Sequence, residues 1–337
     1  MGKLRVSLAV ILSVGLLAGC SQKDTAQKSG AESAGVEEPS MNKEVDQIQG
    51  EKAPLTGVAT ENSDQRVISV VVNNHPKARP QSGLHKADIV YEMLVEGKIT
   101  RLLAIYQSDY PDIVGPVRSA RDYFIELSAG FNGIFVAHGY SPSAQAILNS
   151  GAVDHLNGMQ YDGTLFERAS FRKAPHNSYI TTDSIKKGAT DNGYELMQIV
   201  EPLTFGDKEL VSEEKSSVAI GYSNTYRVAY RYNDGVYKRF LNDELMEDRE
   251  TKEPISLENV LIVEANHHII DDYGRRAIDI ESGGEAILLQ EGVKKEVKWK
   301  NENGRITAVK DGSPVPLVPG RTWVNIVPDL TMITSNQ

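Results

Sequence analysis

The sequence has almost no cysteine: of its 337 residues, only Cys20 is one. A chain with a single cysteine forms no internal disulfide, so its stability must come from a packed core. If Cys20 carries a lipid, as argued below, no thiol is left for catalysis. Cysteine-dependent wall enzymes such as L,D-transpeptidases and papain-like peptidases are then excluded, because their nucleophile is a thiolate.

Positive charge is also scarce. The chain has 36 Lys and Arg residues against 46 Asp and Glu, a formal net charge of −10, and loss of Lys3 and Arg5 with the N-terminal segment gives −10 − 2 = −12. Such a chain has no general electrostatic attraction to DNA, RNA or anionic lipid, so no nucleic-acid partner is expected.

Several motifs of known chemistry are missing. The sequence contains no G-x-S-x-G, no H-E-x-x-H, no H-x-x-x-H and no acidic D-x-D-x-D-G loop. His267 and His268 are adjacent, so on a strand they point to opposite faces and cannot bind one metal ion together. The sequence therefore predicts no metal site and no cofactor, and it identifies no catalytic residue.

The N-terminus has the features of an export signal. Lys3 and Arg5 are followed by the apolar run VSLAVILSVGLL (6–17), which is too short to span a membrane, and then by Leu-Ala-Gly-Cys at 17–20. This order resembles the bacterial lipobox, in which the cysteine is lipidated and becomes the new N-terminus. Residues 1–19 are therefore interpreted as a lipoprotein signal peptide. Cys20 would carry a palmitate-type lipid that holds the protein on the cell membrane, facing outside the cytoplasm.

Residues 20–66 are predicted to be a disordered tether. This segment is rich in small, polar and acidic residues and has no aromatic residue. It cannot bury enough apolar surface to offset its chain entropy. A flexible tether of this length would span roughly 40 Å, enough to hold a domain away from the membrane.

The rest of the chain predicts an α+β fold in two parts. Residues 67–204 mix strand and helix patterns, including a hairpin over 88–108, a strand over 133–139 and a Ser-capped helix over 141–151. Residues 205–330 read as short strands separated by Asn, Asp and Gly turns. We therefore expect a mixed α/β module at 67–204, followed by a β-rich and mostly antiparallel module at 205–330.

Two arginines stand out in the stretch GPVRSARDYF (115–124). If a helix begins near Ser119, with Asp122 completing a capping box, Arg118 and Arg121 lie on one side of its first turn. Their guanidinium forks and the free N–H groups of that turn would then suit a carboxylate, phosphate or sulfate. The alternative is that each arginine pairs with a local acid, for which the candidates are Asp88, Glu92, Asp112 and Asp122.

Two further patches carry candidate side chains. His138 follows an apolar strand, where functional groups often lie in α/β folds, although it could also be a structural histidine. The loop FRKAPHNS (171–178) contributes Arg172, Lys173 and His176, and its alternative is an ordinary solvated loop. Trp299 and Trp323 lie in strand patterns and are expected to be core residues rather than a carbohydrate platform.

Five motifs together resemble the YerB-like family of bacterial lipoproteins. They are LLAGC (16–20), NNHPKARPQSGL (73–84), GPVRSAR (115–121), FRKAPHN (171–177) and PGRTWVNIVP (319–328). The resemblance covers about residues 67–330. It implies an α/β module followed by a β-rich module on a lipid anchor, and it transfers no catalytic residue.

Three functions remain open. The first is a binding module for an anionic or cell-wall-derived ligand, held by Arg79, Arg118, Arg121, His138, Arg172, Lys173 and His176. The second is an envelope hydrolase or transferase in which His138 or His176 is a general base. The third is a scaffold that docks another envelope protein through Val315, Leu317, Trp323 and the 271–276 turn.

Overall fold

The computed structural model describes residues 51–207 and 217–336. The first half of this range contains β1 (Glu51–Lys52), β2 (Ala59–Thr60), β3 (Ile68–Asn73), β4 (Ile89–Leu94), β5 (Thr100–Tyr106), β6 (Ile113–Val114), α1 (Asp122–Ala129), β7 (Ile134–Ala137), α2 (Pro142–Asn149), β8 (His155–Asn157), α3 (Gly158–Tyr161), β9 (Phe166–Arg168), β10 (Ser178–Thr181) and α4 (Thr182–Asp191). The second half contains β11 (Ser217–Ser223), β12 (Tyr226–Asn233), β13 (Val236–Leu241), β14 (Glu244–Leu245), β15 (Ser256–Leu257), β16 (Asn259–Glu264), β17 (His267–Ile269), β18 (Arg276–Ile278), β19 (Gly284–Gln290), β20 (Val293–Glu302), β21 (Arg305–Lys310), β22 (Ser313–Pro314), β23 (Thr322–Val327) and β24 (Ile333–Asn336). Short 3-10 helices cover Pro76–Ala78, Leu84–Lys86 and Leu330–Met332.

The α+β fold class is confirmed. All α-helices of the described residues precede residue 192, and residues 217–336 form strands with one 3-10 turn. The predicted hairpin is β4 and β5, and the predicted Ser-capped helix is α2, where Ser141 Oγ accepts a hydrogen bond from the Ala144 N–H. No helix in the described part of the chain is long and apolar enough to cross a membrane.

An eleven-stranded sheet organises the molecule. Its order is β22-β21-β20-β19-β16-β23-β4-β5-β3-β7-β8, with parallel pairing from β16 through β23 to β4 and from β3 through β7 to β8. The parallel pairing of β4 with β23 joins strands from the two halves of the chain, so both halves share this sheet. The domain boundary predicted near residue 205 stays a prediction. The α-helices of the described residues end before it, but the large sheet contains strands from both sides of it.

Both faces of the large sheet are buried. Alternate residues of β3 enter different cores: Val70 and Val72 pack toward the second sheet (β14-β13-β12-β11-β24), whereas Val71 packs toward α1. A strand that is covered on both sides reads as a continuous apolar run, as β3 does. Trp323 lies in the same core as Val70 and Val72, and Trp299 lies in the same core as Val71. Both tryptophans are at most 2% exposed. The prediction that they are core residues is confirmed, so Trp323 is not available as a docking residue.

Order begins earlier than the composition predicts. The composition predicts that residues 51–66 belong to the tether, but β1 and β2 pair, and Leu55 is fully buried in the core. The polar residues of this segment bind backbone groups at the end of β5, because Thr60 Oγ1 and Asn62 Nδ2 both donate to the Ser108 carbonyl. A segment with few apolar residues is folded here because tertiary contacts satisfy its polar groups. The predicted signal peptide, Cys20 and the tether up to residue 50 lie outside the described residues.

A buried ion pair joins the two halves. Glu92 on β4 accepts a hydrogen bond of 2.6 Å from Arg239 on β13, and both side chains are 0% exposed. Burial by itself would raise the pKa of Glu92, but Arg239 and the hydroxyl donors outweigh it and hold that pKa below its usual value. Further donors complete the acid's hydrogen bonds: Asn74 Nδ2, Thr100 Oγ1, the Tyr226 hydroxyl and Trp323 Nε1.

We expect Glu92→Gln to lower the free energy of unfolding by about 3–5 kcal/mol, because it leaves the Arg239 charge buried without a partner. Urea denaturation followed by circular dichroism measures the effect. The double variant Glu92→Gln/Arg239→Met should be more stable than Glu92→Gln alone. Lys187→Ala, which removes an exposed pair with Asp191, is the control and should change stability by less than about 1 kcal/mol. A Glu92→Gln protein as stable as this control would contradict the assignment.

Candidate functional site

The candidate site lies where two parallel strands end. β3 and β7 run in the same direction, so Asn73 and His138, at and just after their carboxyl ends, lie at one edge of the sheet. The loop that contains Arg118 is clamped between them: Arg118 N–H donates to the Val71 carbonyl, and the Arg118 carbonyl accepts from the His138 N–H. Loops following parallel strands are the usual place for a binding site in such sheets.

Two histidines stack at this edge under the control of one asparagine. The rings of His75 and His176 are 4.5 Å apart at 22°. Asn73 Oδ1 accepts a hydrogen bond of 3.0 Å from the backbone N–H of His75. The Nδ2 donor of Asn73 therefore points to His176 Nδ1, also at 3.0 Å. His75 Nδ1 accepts the Lys77 N–H at 3.1 Å. Because both Nδ1 atoms act as acceptors, this hydrogen-bond network assigns the ring proton of each neutral imidazole to Nε2.

His138 has the opposite tautomer. Arg168 Nη2 can only donate, and it lies 2.8 Å from His138 Nε2. The ring proton is therefore on Nδ1, which donates to Ser178 Oγ at 2.8 Å. Arg168 is in turn fixed by Asp162 at 2.9 Å. Gly158 lies against the ring, since a Cβ there would come within 2.0 Å of His138 Nδ1, so this position requires glycine.

Arg118 has neither an acid nor any other hydrogen-bond acceptor as a partner among the described residues. Its side chain is half-buried, and burial lowers its pKa. Within residues 51–207 and 217–336 its guanidinium has no hydrogen bond or ion pair, whereas it acts electrostatically on His75, His138 and His176. We call Arg118 and these three histidines the Arg118 surface.

All three histidines of the Arg118 surface have lowered pKa values. Burial is the main cause in each case. Cations add to it: Lys77, Arg79 and Arg118 for His75; Arg118, Lys77 and Arg172 for His176; Arg168 and Arg118 for His138, where Asp162 opposes them. The rings are therefore neutral at pH 7, because both burial and nearby cations disfavour the imidazolium.

The predicted partnership of Arg118 with Arg121 is wrong in its geometry. α1 begins at Asp122 rather than near Ser119, Arg121 is its N-cap residue, and no capping side chain is present. Ser119 Oγ instead donates to the His138 carbonyl. Arg121 is 6% exposed and forms an ion pair with Glu96. The two arginines are not on one helical turn, so the i, i+3 argument does not apply, and only Arg118 faces the histidines.

The other predicted cations have different contacts. Arg172 donates to the Ala78 and Pro80 carbonyls at 2.5 and 2.6 Å and so fixes the 78–80 loop. Arg79 donates to Asn74 and lies 4.7 Å above the Tyr226 ring. Lys173 is exposed, and its carbonyl accepts the His176 N–H. Arg79 and Arg172 are therefore fixed by other parts of the protein, and they act on the rings through their charge, Arg79 on His75 and Arg172 on His176. Their role in binding, like that of Lys173, stays a prediction.

Sequence reasoning missed three members of the site: His75, Asn73 and Arg168. His75 and Asn73 belong to the motif NNHPKARPQSGL (73–84), which indicated a family resemblance but no site residue other than Arg79. Its signal was two asparagines and a histidine directly after a buried strand. Arg168 lies on β9, and nothing local connects it with His138, 30 residues away. Residues 76 and 79–81 also border a cleft of about 480 Å³, together with residues 241–242, 244–248 and 252.

The Arg118 surface offers hydrogen-bond donors but no free general base. A general base needs a free lone pair, and each neutral imidazole has only one such nitrogen. The lone pairs of His75, His138 and His176 are occupied by Lys77 N–H, Arg168 and Asn73. Ser178 Oγ accepts a hydrogen bond from His138 Nδ1–H instead of donating one to the ring, and Ser178 is 1% exposed. Among the described residues, no group of three or more His, Cys, Asp or Glu side chains could hold a metal ion.

Comparisons with known proteins agree on one family. Residues 55–195 match the N-terminal domain, and residues 218–324 the C-terminal domain, of "Protein of unknown function (DUF3048)". The protein named "Putative lipoprotein YerB" from Bacillus subtilis (strain 168) is 54% identical over 287 residues, which cover 83% of this chain and 87% of the relative. The crystal structure of YerB protein from Bacillus subtilis matches with a TM-score of 0.81 and 53% identity, over 85% of this chain and 99% of that one.

We expect Arg118→Gln to raise the pKa of His75, His138 and His176, since loss of a nearby cation favours the imidazolium. Lys77→Gln should raise the pKa of His75 and His176 but not that of His138, because Lys77 acts only on the first two rings. NMR titration of the histidine ring signals measures all three values. A Lys77→Gln protein in which His138 shifts as much as His75 would contradict this arrangement.

Proposed function

The chain belongs to the YerB-like family, and on that premise we propose that it is a lipoprotein anchored to the cell membrane through Cys20, facing outside the cytoplasm. We further propose that it binds an anionic ligand, such as a cell-wall fragment, at the Arg118 surface. Support for the anchor comes from the lipobox at 17–20 and from the relative named as a lipoprotein. The observation that carries the binding proposal is the half-buried guanidinium of Arg118 without an acid.

The other arginines near the site differ from Arg118 because their guanidinium groups have partners within the protein. Arg121 has Glu96, Arg168 has Asp162, Arg239 has Glu92, and Arg172 has two backbone carbonyls. Partial removal of a charge from water without a compensating partner is unfavourable. An anion that bound Arg118 would supply that partner, and it would be attracted locally although the protein as a whole is negatively charged.

The two alternatives have less support. A hydrolase or transferase with His138 or His176 as general base would first have to break the hydrogen bond that occupies the ring's lone pair. A scaffold role retains one exposed apolar feature, the turn between β17 and β18. There Ile269, Ile270 and Tyr273 are 65%, 54% and 79% exposed. Crosslinking from this turn in intact membranes that recovers one specific envelope protein would favour the scaffold.

We expect Arg118→Gln to weaken binding to soluble anionic cell-wall fragments by at least about tenfold, because charge-assisted hydrogen bonds from a guanidinium are strong. Isothermal titration calorimetry with the purified protein measures the affinity. The control is Lys298→Gln, which removes an exposed cation that is paired with Glu285 on β19. Equal affinity of wild type and Arg118→Gln, with an unchanged melting temperature, would overturn the proposal.

Cys20→Ser should release the protein from the membrane fraction, because the lipid is attached to the only thiol in the chain. Cell fractionation followed by immunoblotting measures the distribution. Ser21→Ala is the matched control and should leave the protein in the membrane fraction. A Cys20→Ser protein that stays membrane-bound after a high-salt wash would contradict lipid anchoring.

A further inference from the structure

The Arg118 surface presents hydrogen-bond donors from three residues. The Nε2–H groups of His75 and His176 have no hydrogen-bond partner within the described ranges, and the same holds for the N–H groups of the Arg118 guanidinium. The acceptor atoms of both rings are already used by Lys77 N–H and Asn73 Nδ2. A ligand that fits these groups must therefore offer several acceptors and few donors.

The charges around the stacked rings are of one sign. The groups that lower the pKa of His75 and His176 through charge are Lys77, Arg79, Arg118 and Arg172, besides the rings themselves. Asp162, the acid that acts on His138, is bound to Arg168 through both carboxylate oxygens. A ligand with one negative charge and two acceptor oxygens would leave part of this positive field and some of these donors unmatched.

We infer that the group bound here is a phosphate-type oxyanion, held by the Arg118 guanidinium and by the neutral Nε2–H donors of His75 and His176. The inference rests on the proposed anion binding and adds the chemical class of the ligand and the protonation state of the protein. A tetrahedral dianion has enough oxygens to accept from the guanidinium fork and from two separate rings at once.

The neutral state of the rings is built into the hydrogen bonds. Protonation of either ring would place a second N–H against an existing donor, at Lys77 N–H for His75 and at Asn73 Nδ2 for His176. Asn73 cannot turn its amide over without losing the His75 N–H bond to its Oδ1. The protein thus holds both rings as uncharged donors. The charge that attracts the ligand comes from Arg118, and Lys77, Arg79 and Arg172 add to it.

The test titrates the lipidated, detergent-solubilised protein with inorganic phosphate, sulfate, glycerol 3-phosphate, dimethyl phosphate and acetate by calorimetry. At pH 7.5 we expect phosphate, sulfate and the monoester to bind at least about tenfold more tightly than acetate. The singly charged diester should lie between them. Sulfate affinity should stay nearly constant from pH 6.5 to 8, because neither the sulfate nor the neutral rings titrate there.

Variants of His176 separate a neutral donor from a cation. His176→Gln keeps an amide N–H near the place of Nε2 and should retain most of the phosphate affinity, whereas His176→Leu should lose about tenfold. His268→Leu, at an exposed histidine of β17, is the control and should change nothing. Circular dichroism melts confirm that each variant is folded.

The outcomes are distinguishable. If no anion binds, or if Arg118→Gln binds every anion as well as wild type, the proposed function itself fails. If binding depends on Arg118 but acetate equals phosphate, only the ligand class is wrong. If His176→Gln loses as much as His176→Leu, or sulfate affinity falls steeply as the pH rises, the imidazolium is the binding form and the neutral-donor assignment is overturned.

Discussion

The ion pair of Glu92 and Arg239 is the contact on which the rest of the structure depends. It lies between the large sheet and the second sheet, and Trp323 of β23 donates to the same carboxylate. A buried carboxylate is stable only with a complete set of donors, and this set comes from β5, β12, β13, β23 and Asn74 just after β3. Any displacement of one half against the other would leave a charge without its partner.

Two neighbouring asparagines connect this core with the candidate site. Successive side chains of an extended segment point to opposite sides. Asn74 donates to Glu92 and accepts from Arg79, and so belongs to the buried network. Asn73 positions His75 and His176 at the surface. The stacked histidines are therefore held by a backbone that the core itself fixes, which is what a preformed binding site requires.

Most arginines near the candidate site and the buried ion pair are structural, although the protein is acidic. Arg121, Arg172 and Arg239 are each bound to specific acceptors. Arg118 lies in the short loop 115–121, which backbone hydrogen bonds clamp to β3, to β10 and to His138 and Gly139 just after β7. The loop places the Arg118 side chain near three neutral imidazole rings. The site depends on this contrast between occupied and free guanidinium groups.

Local sequence patterns determined the strands, the hairpin of β4 and β5, the capped helix α2 and the β-rich second half, because periodicity and turn residues act over short distances. They also identified Arg118, His138 and His176 as candidate site residues. They could not show that α1 begins at Asp122, since the carbonyl that binds Ser119 belongs to His138 across the sheet edge.

Only the tertiary structure decided which cations are free, which tautomer each histidine has, and that residues 51–66 are folded. Glu96 reaches Arg121 across 25 residues, Arg168 reaches His138 across 30, and Asn73 reaches His176 across 103. The physical reason is that hydrogen bonds and ion pairs depend on distance in space. A single sequence carries no signal for partners that only the folded sheet brings together.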